Sequence, residues 1–227
     1  MRILQVFSAL LTYPSAELRQ AIPELRAAVV SATGLGVVAA QRLTALLDEL
    51  EYDDLYEVQA RYVAQFDRGR ALSLHLFEHV HGESRDRGQA MVDLVDVYRK
   101  YGFELAAREL PDYLPLFLEF LSQIPARDAR ELLTDAMPVV CLLGARLASK
   151  DSSYASVFEA LAQIFGPPED EAEIRRKVAA EGPDQTLSQM DRIWEEEAVT
   201  FLGNPGDSCG SGAATEQPLR PMPRPSG

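Results

Sequence analysis

Apolar residues recur every three to four positions along most of this chain, with charges on the opposite face, and that period predicts helices almost everywhere. Ile3, Leu4, Phe7, Leu10 and Leu11 share one stripe near the start; Leu55, Val58, Tyr62 and Phe66 make a second, and Met91, Leu94, Tyr98 and Tyr101 a third. Leu114, Phe117, Leu118, Leu121 and Ile124 form a wide stripe of the kind that faces a core. The longest runs through Ala129, Leu132, Leu133, Ala136, Val140, Leu143 and Leu147, and Tyr154, Val157, Phe158, Leu161 and Phe165 supply one more core helix. The chain reads as all-α.

The breaks are equally legible. Pro14 followed by Ser15 as N-cap, Gly34-Leu35-Gly36, Gly82, Gly102, Pro111-Asp112, Ile124-Pro125 and Gly166-Pro167-Pro168 interrupt the period. They divide the chain into roughly eight to ten helices of ordinary length. Asp112 is expected to N-cap the helix carrying Phe117, with Pro115 tolerated in its first turn, where amides lack intrahelical partners. Pro138 falls inside the longest stripe, and a kink is expected where its ring meets the Thr134 carbonyl.

At 227 residues and 47% hydrophobic, the chain can bury one substantial core, and a second full domain would be cramped. The expected organisation is a helical core over 1–166, an acidic helical region over 167–202 and a disordered tail over 203–227. Glu169 to Glu197 holds ten acidic and four basic side chains, with Trp194 its only large aromatic. The tail has five prolines, five glycines and no aromatic residue, too little apolar surface to offset ordering entropy. A net charge of −13 argues against nucleic acid and anionic lipid as partners and steers a basic peptide toward the protein. Cys141 and Cys209 have no disulfide context, the opening segment lacks a signal-peptide cleavage site, and no run of eighteen apolar residues exists. A reducing, cytoplasmic setting without membrane insertion is expected.

All three histidines fall within seven residues, at 75, 79 and 81. His75-Leu76-Phe77-Glu78-His79 spells H-x-x-E-H, in which two imidazoles one helical turn apart would hold Zn²⁺ and the glutamate would activate water. That hydrolase reading needs a third ligand, and His81 would lie on another helix face. The competing reading has His75 and His79 capping or hydrogen-bonding a helix. Arg68, Arg70, Arg85 and Arg87 either pair internally with nearby carboxylates or orient a loop that receives a partner. No phosphate-binding glycine loop or nucleophile elbow occurs, so an enzyme would have little to work with.

The segment FDRGRALSLHLFEHVHGESRDRGQAM, together with LPDYLPLFLEFL and the opening LTYPSAEL, closely resembles the nitrate reductase molybdenum cofactor assembly chaperones, the NarJ family of TorD-like redox-enzyme maturation proteins. The similarity runs to about Phe165. The resemblance implies a single helical TorD-like bundle acting as a cytoplasmic chaperone, with no catalytic residues and no cofactor of its own. Such proteins bind the N-terminal segment of the nitrate reductase catalytic (alpha) subunit and a second site on it, keeping it competent for molybdenum cofactor insertion before membrane docking.

An acidic helical protein suits a basic, aromatic helical peptide laid in an apolar groove. The expected groove is bounded by Leu74 to His79 and the helix beginning near Asp112. Phe77, Tyr113 and Phe117 are the candidate aromatic contacts, although helical spacing alone would explain Phe117 as core. Glu78 and Asp112 are the candidate acceptors for client arginines, and His75 and His79 the candidate pH-sensitive contacts. A helical interaction scaffold with another partner is the remaining alternative.

Overall fold

The computed structural model describes residues 1–81, 85–105 and 109–181. Among them are ten α-helices: α1 (Arg2–Leu11), α2 (Ala16–Val30), α3 (Val37–Tyr52), α4 (Leu55–Tyr62), α5 (Leu76–Val80), α6 (Arg85–Lys100), α7 (Leu114–Gln123), α8 (Ala126–Ala148), α9 (Ala155–Phe165) and α10 (Glu171–Ala180). A π-helical turn (Val63–Asp67) extends α4, and a short 3-10 turn (Arg70–Leu72) precedes α5. The protein is all-α.

The two most apolar early and middle helices, α1 and α7, pack on each other at the centre. Every residue of the α1 stripe is buried, and Leu114, Phe117, Leu118 and Leu121 meet it from α7. Full burial of a Leu or Phe side chain stabilises by about 1.5–3 kcal/mol before entropy is counted, so this pair anchors the core. Ser8 seals the contact by donating its hydroxyl to the Pro115 carbonyl at 2.8 Å. Around it, α2 and α3 form a hairpin, α3 leans on α9, and α8 packs along α9. The α8–α9 approach is close because Gly144 faces Phe158; a Cβ at Gly144 would sit 2.8 Å from the Phe158 Cβ.

Local chemistry sets the helix ends. Ser15 Oγ accepts from the Leu18 amide, the expected cap of α2, and Asp54 caps α4 by accepting from Tyr56 and Glu57. Pro115 occupies the first turn of α7, as its missing N–H permits. Pro138 lies within α8, which continues as one helix on both sides of it. The C-terminus of α8 closes in a Schellman arrangement, with Asp151 N bonded to Ala148 O and Ser152 N to Leu147 O. Asp151 takes the left-handed position there, φ 51°, where glycine is usual.

α10 packs on α8 through Ile174 and Val178. Residues 182–202 of the acidic region, with Trp194, and the expected tail at 203–227, with Cys209, lie outside the described residues, as does the expected break at Gly82. Cys141 is free and half-buried, and burial pushes its thiol up to about 11, so it stays protonated. Among the described residues no helix is long and apolar enough to cross a membrane.

Candidate functional site around Asp112

The residues singled out at 75–79 and 112–117 come together through a short piece of extended backbone pairing, the only one among the described residues. Before α5 the chain runs extended, and His75 pairs antiparallel with Tyr113 as an isolated bridge. Leu76 N donates to Asp112 O at 3.0 Å, and Leu114 N donates to Leu74 O at 2.8 Å. Extended backbone alternates its side chains. Leu74 and Leu114 therefore enter the core, while His75 and Tyr113 face outward with ring centroids 5.4 Å apart.

Asp112 is the pivot. Its side chain is fully buried, and both carboxylate oxygens are engaged: Oδ2 accepts from the Phe77 amide and Oδ1 from His75 Nδ1, each at 3.1 Å. The expectation that Asp112 caps α7 is corrected here. Tyr113 is the N-cap of α7 and makes no side-chain cap bond, and the Asp112 carboxylate instead accepts from the Phe77 amide in the first turn of α5. A carboxylate buried and spent in this way has no free face for a client arginine. Tyr98 holds the same loop by donating its buried hydroxyl to the Pro111 carbonyl at 2.7 Å.

Glu78 is about a quarter exposed and receives Arg87 at 3.2 Å; the same Arg87 Nη2 lies 4.0 Å from Asp112. Arg87 therefore serves as the internal partner that the charge balance of the segment suggests. The aspartate hydrogen bond raises the pKa of His75 above the ordinary imidazole value, with burial and Arg87 opposing. His79 goes the other way. Burial lowers its pKa, Arg146 adds to the effect, and Nε2 sits 2.8 Å from the Ser73 carbonyl. A carbonyl only accepts, so Nε2 carries the proton and His79 is neutral near pH 7.

This geometry does not suit the H-x-x-E-H hydrolase. His75 is the extended N-cap residue of α5 rather than part of the helix, so the two imidazoles are not stacked one turn apart. Each already holds a different partner, Asp112 or Ser73. Among the described residues, no group of three or more potential ligands is arranged to hold a metal ion.

Phe117 is 4% exposed and belongs to the core. Phe77 is half-buried, edge-on to His81 with centroids 5.6 Å apart. Tyr113 is half-buried, its hydroxyl 3.3 Å from that of Tyr62, and Tyr62 donates to Leu11 O at 2.7 Å. Exposed Tyr13 stacks edge-on against Tyr62, which extends the line of rings. The surface over Asp112 is thus a strip of Phe77, His75, Tyr113 and Tyr13, flanked by Glu78.

The profile of the nitrate reductase delta subunit family matches residues 14–160. Over 217 residues the chain is 45% identical to the nitrate reductase molybdenum cofactor assembly chaperone NarJ of Escherichia coli K12, covering 96% of this chain and 91% of that one. It belongs to the NarJ-type nitrate reductase delta subunit family. It is also 42% identical over 211 residues to NarW of the same strain, described as a probable chaperone of the same kind, covering 93% and 88% of the two chains. A candidate redox enzyme maturation protein from Archaeoglobus fulgidus aligns in structure at 22% identity and a TM-score of 0.47, covering 71% of this chain and 91% of that one. The family is one of assembly chaperones rather than enzymes.

In this NarJ-type chain several residues that position the strip have no local signature. Tyr98, Tyr62 and Arg146 act across long sequence separations. Arg146 of α8 donates to Ala71 O at 2.9 Å, just before the site, and grips Glu181 with two further bonds of 2.8 and 2.6 Å. Tyr98 could be singled out only as the most apolar-facing member of the α6 stripe. Its hydroxyl role depends on where Pro111 lands.

Proposed function

We propose that this chain is a system-specific chaperone that binds the immature nitrate reductase catalytic subunit, including its N-terminal segment, and keeps it competent for molybdenum cofactor insertion before membrane docking. The work is binding and release in the cytoplasm. The likeness to E. coli NarJ along nearly the whole chain is the observation that carries the reading. The half-buried Phe77, Tyr113 and His75, with Glu78 beside them, support the strip as the client contact.

A client segment laid on this strip covers aromatic faces that keep part of their area in water, and displaces Arg87 from Glu78 with a cation of its own. His75, Phe77, Glu78 and Tyr113 make the contacts. His79, Asp112 and Phe117 hold these residues from beneath. Rings fixed by packing lose little freedom on binding, which favours them as anchors.

Titration calorimetry of the full chain with a peptide from the N-terminus of the catalytic subunit tests this. Binding is expected, weakened by salt because the chaperone is acidic. Phe77→Ala or Glu78→Lys should each cost about 1–3 kcal/mol of binding, as for a lost anchor or charge-assisted bond. No heat, together with no competition by the full subunit, would overturn the reading.

A further inference from the structure

The strip over Asp112 carries more negative charge than Glu78 alone. Burial raises the Tyr113 phenol above its ordinary pKa, and the nearby charges of Glu109 and Asp67 add to the effect. Both of those carboxylates are on exposed residues. Half-buried rings rimmed by three acidic side chains suit an occupant that brings cations together with compact apolar surface.

The described chain ends beside this surface. Arg146 holds Glu181 through two bonds and, with Nη1, donates to the Ala71 carbonyl. Ala71 stands two residues before Ser73, whose carbonyl accepts from His79 beneath the strip, and the charge of Arg146 reaches His79 as well. Residues 182–227 therefore set out from the flank of the α5 segment. From Glu181 to Pro218 the backbone can span up to about 120 Å, at 3.3–3.6 Å per residue, against a width of roughly 40 Å for a domain of this size, so reach does not limit where they land.

What those residues bring is uneven. From 182 to 216 the carboxylates have Arg192 as their single cation, and an acidic rim repels such a stretch. After Glu216 no acidic side chain occurs, and Arg220 and Arg224 alternate with Pro218, Pro221, Pro223 and Pro225. In a chain of net charge −13 this is a local reversal of sign. Each proline fixes its φ in advance, so a segment of this composition loses little freedom on lying extended along a row of rings, as proline-rich ligands do in aromatic grooves.

We propose that residues 218–225 dock on the strip of their own chain, with prolines against Phe77, Tyr113 and Tyr13 and an arginine replacing Arg87 at Glu78, so that a client must displace them. The competition rests on the strip being the client contact. The chaperone then covers its own aromatic surface until a client arrives, and a segment without acidic side chains serves as the cover.

The test compares ¹⁵N NMR spectra of the full chain with those of a tail variant, Arg220→Gln with Arg224→Gln. A control variant, Arg127→Gln with Lys150→Gln, removes the same charge from exposed positions on and just after α8. Without any client, the tail variant is expected to move the Phe77, Glu78 and Tyr113 amides and the control to leave them in place. A peptide from the N-terminus of the catalytic subunit should then bind the tail variant about three- to tenfold more tightly than wild type, as for weakening a tethered competitor at roughly millimolar effective concentration. The control should bind it like wild type. Strip amides that stay in place in the tail variant would overturn the proposal, and so would equal tightening by both variants, which would trace the gain to net charge. Shifts that grow with protein concentration would seat the tail of a neighbouring chain and overturn docking within one chain. The two readings fail differently. Peptide-induced shifts away from the strip in every variant would strike the client contact and the competition with it, whereas peptide-induced shifts at the strip with equal affinity in all three proteins would strike the tail alone.

Discussion

Asp112 caps a helix that is not its own: its Oδ2 accepts the Phe77 N–H at 3.1 Å across 35 residues of sequence. The two carboxylates beside the strip are therefore unequal. Asp112 is buried and spent on the fold, whereas Glu78 is partly exposed and pairs with a partly exposed arginine.

Charge reversal should separate them. Asp112→Lys places an ammonium in a fully buried site and is expected to unfold the chain, while Asp112→Ala leaves the Phe77 amide unsatisfied and costs about 1–3 kcal/mol. Glu78→Lys should retain its helicity and melt within about 1 kcal/mol of wild type, as for a partly exposed pair. Far-UV circular dichroism with urea melts decides; a folded Asp112→Lys would contradict the buried cap.

The two histidines predict a stability profile that turns over near pH 6.5, the ordinary imidazole value from which both depart. His75 has a raised pKa, so its contribution is full below that value and is lost as pH rises through its folded pKa. His79 has a lowered pKa, so its contribution is full above that value and is lost as pH falls toward its folded pKa. His79→Gln should flatten the acid side only, and His75→Gln the alkaline side only. Urea midpoints from pH 5 to 8 measure both slopes, and unchanged slopes would sink the assignment.

Gly144→Ala should destabilise by about 1–3 kcal/mol, because the added methyl lies 2.8 Å from Phe158 Cβ and neither helix can retreat without opening the core. Pairing it with Phe158→Gly should cost less than the sum of the two single changes, since that change removes the Cβ which the new methyl meets. Simple additivity in thermal melts would place the clash elsewhere.

Chelator should leave Tm unchanged, because among the described residues no three potential ligands are grouped to hold a metal ion. A fall in Tm with chelator, restored by zinc and abolished by His75→Ala with His79→Ala, would return the H-x-x-E-H segment to the hydrolase reading.

Much of the fold was readable from spacing alone. The stripe at Ile3, Leu4, Phe7, Leu10 and Leu11 is buried throughout, and Ala129, Leu133, Val140, Leu143 and Leu147 all face the core of α8. Ser15 caps where a serine after Pro14 should. The site was less legible. H-x-x-E-H reads as one helical turn, but His75 lies outside the helix because residues 74–76 are recruited into backbone pairing with 112–114. Asp112 reads as a local cap and instead reaches another segment. Both departures come from pairing between distant residues, which leaves no period in the sequence.

The bridge between His75 and Tyr113 also sets how α5 comes apart. Five residues make little more than one helical turn, too short to persist unaided. Its first amides, Leu76 and Phe77, donate to Asp112 rather than within the helix. Closure of the ring spanning 76–112 and helicity of α5 are thus one event, not a stable helix docking onto a site. Amide exchange at Leu76 and Phe77 should therefore track exchange at Leu114, on the far side of the bridge, more closely than exchange at Val80 in the same helix. The strip is rigid only while two distant stretches of chain hold each other, so its order is a property of that closure.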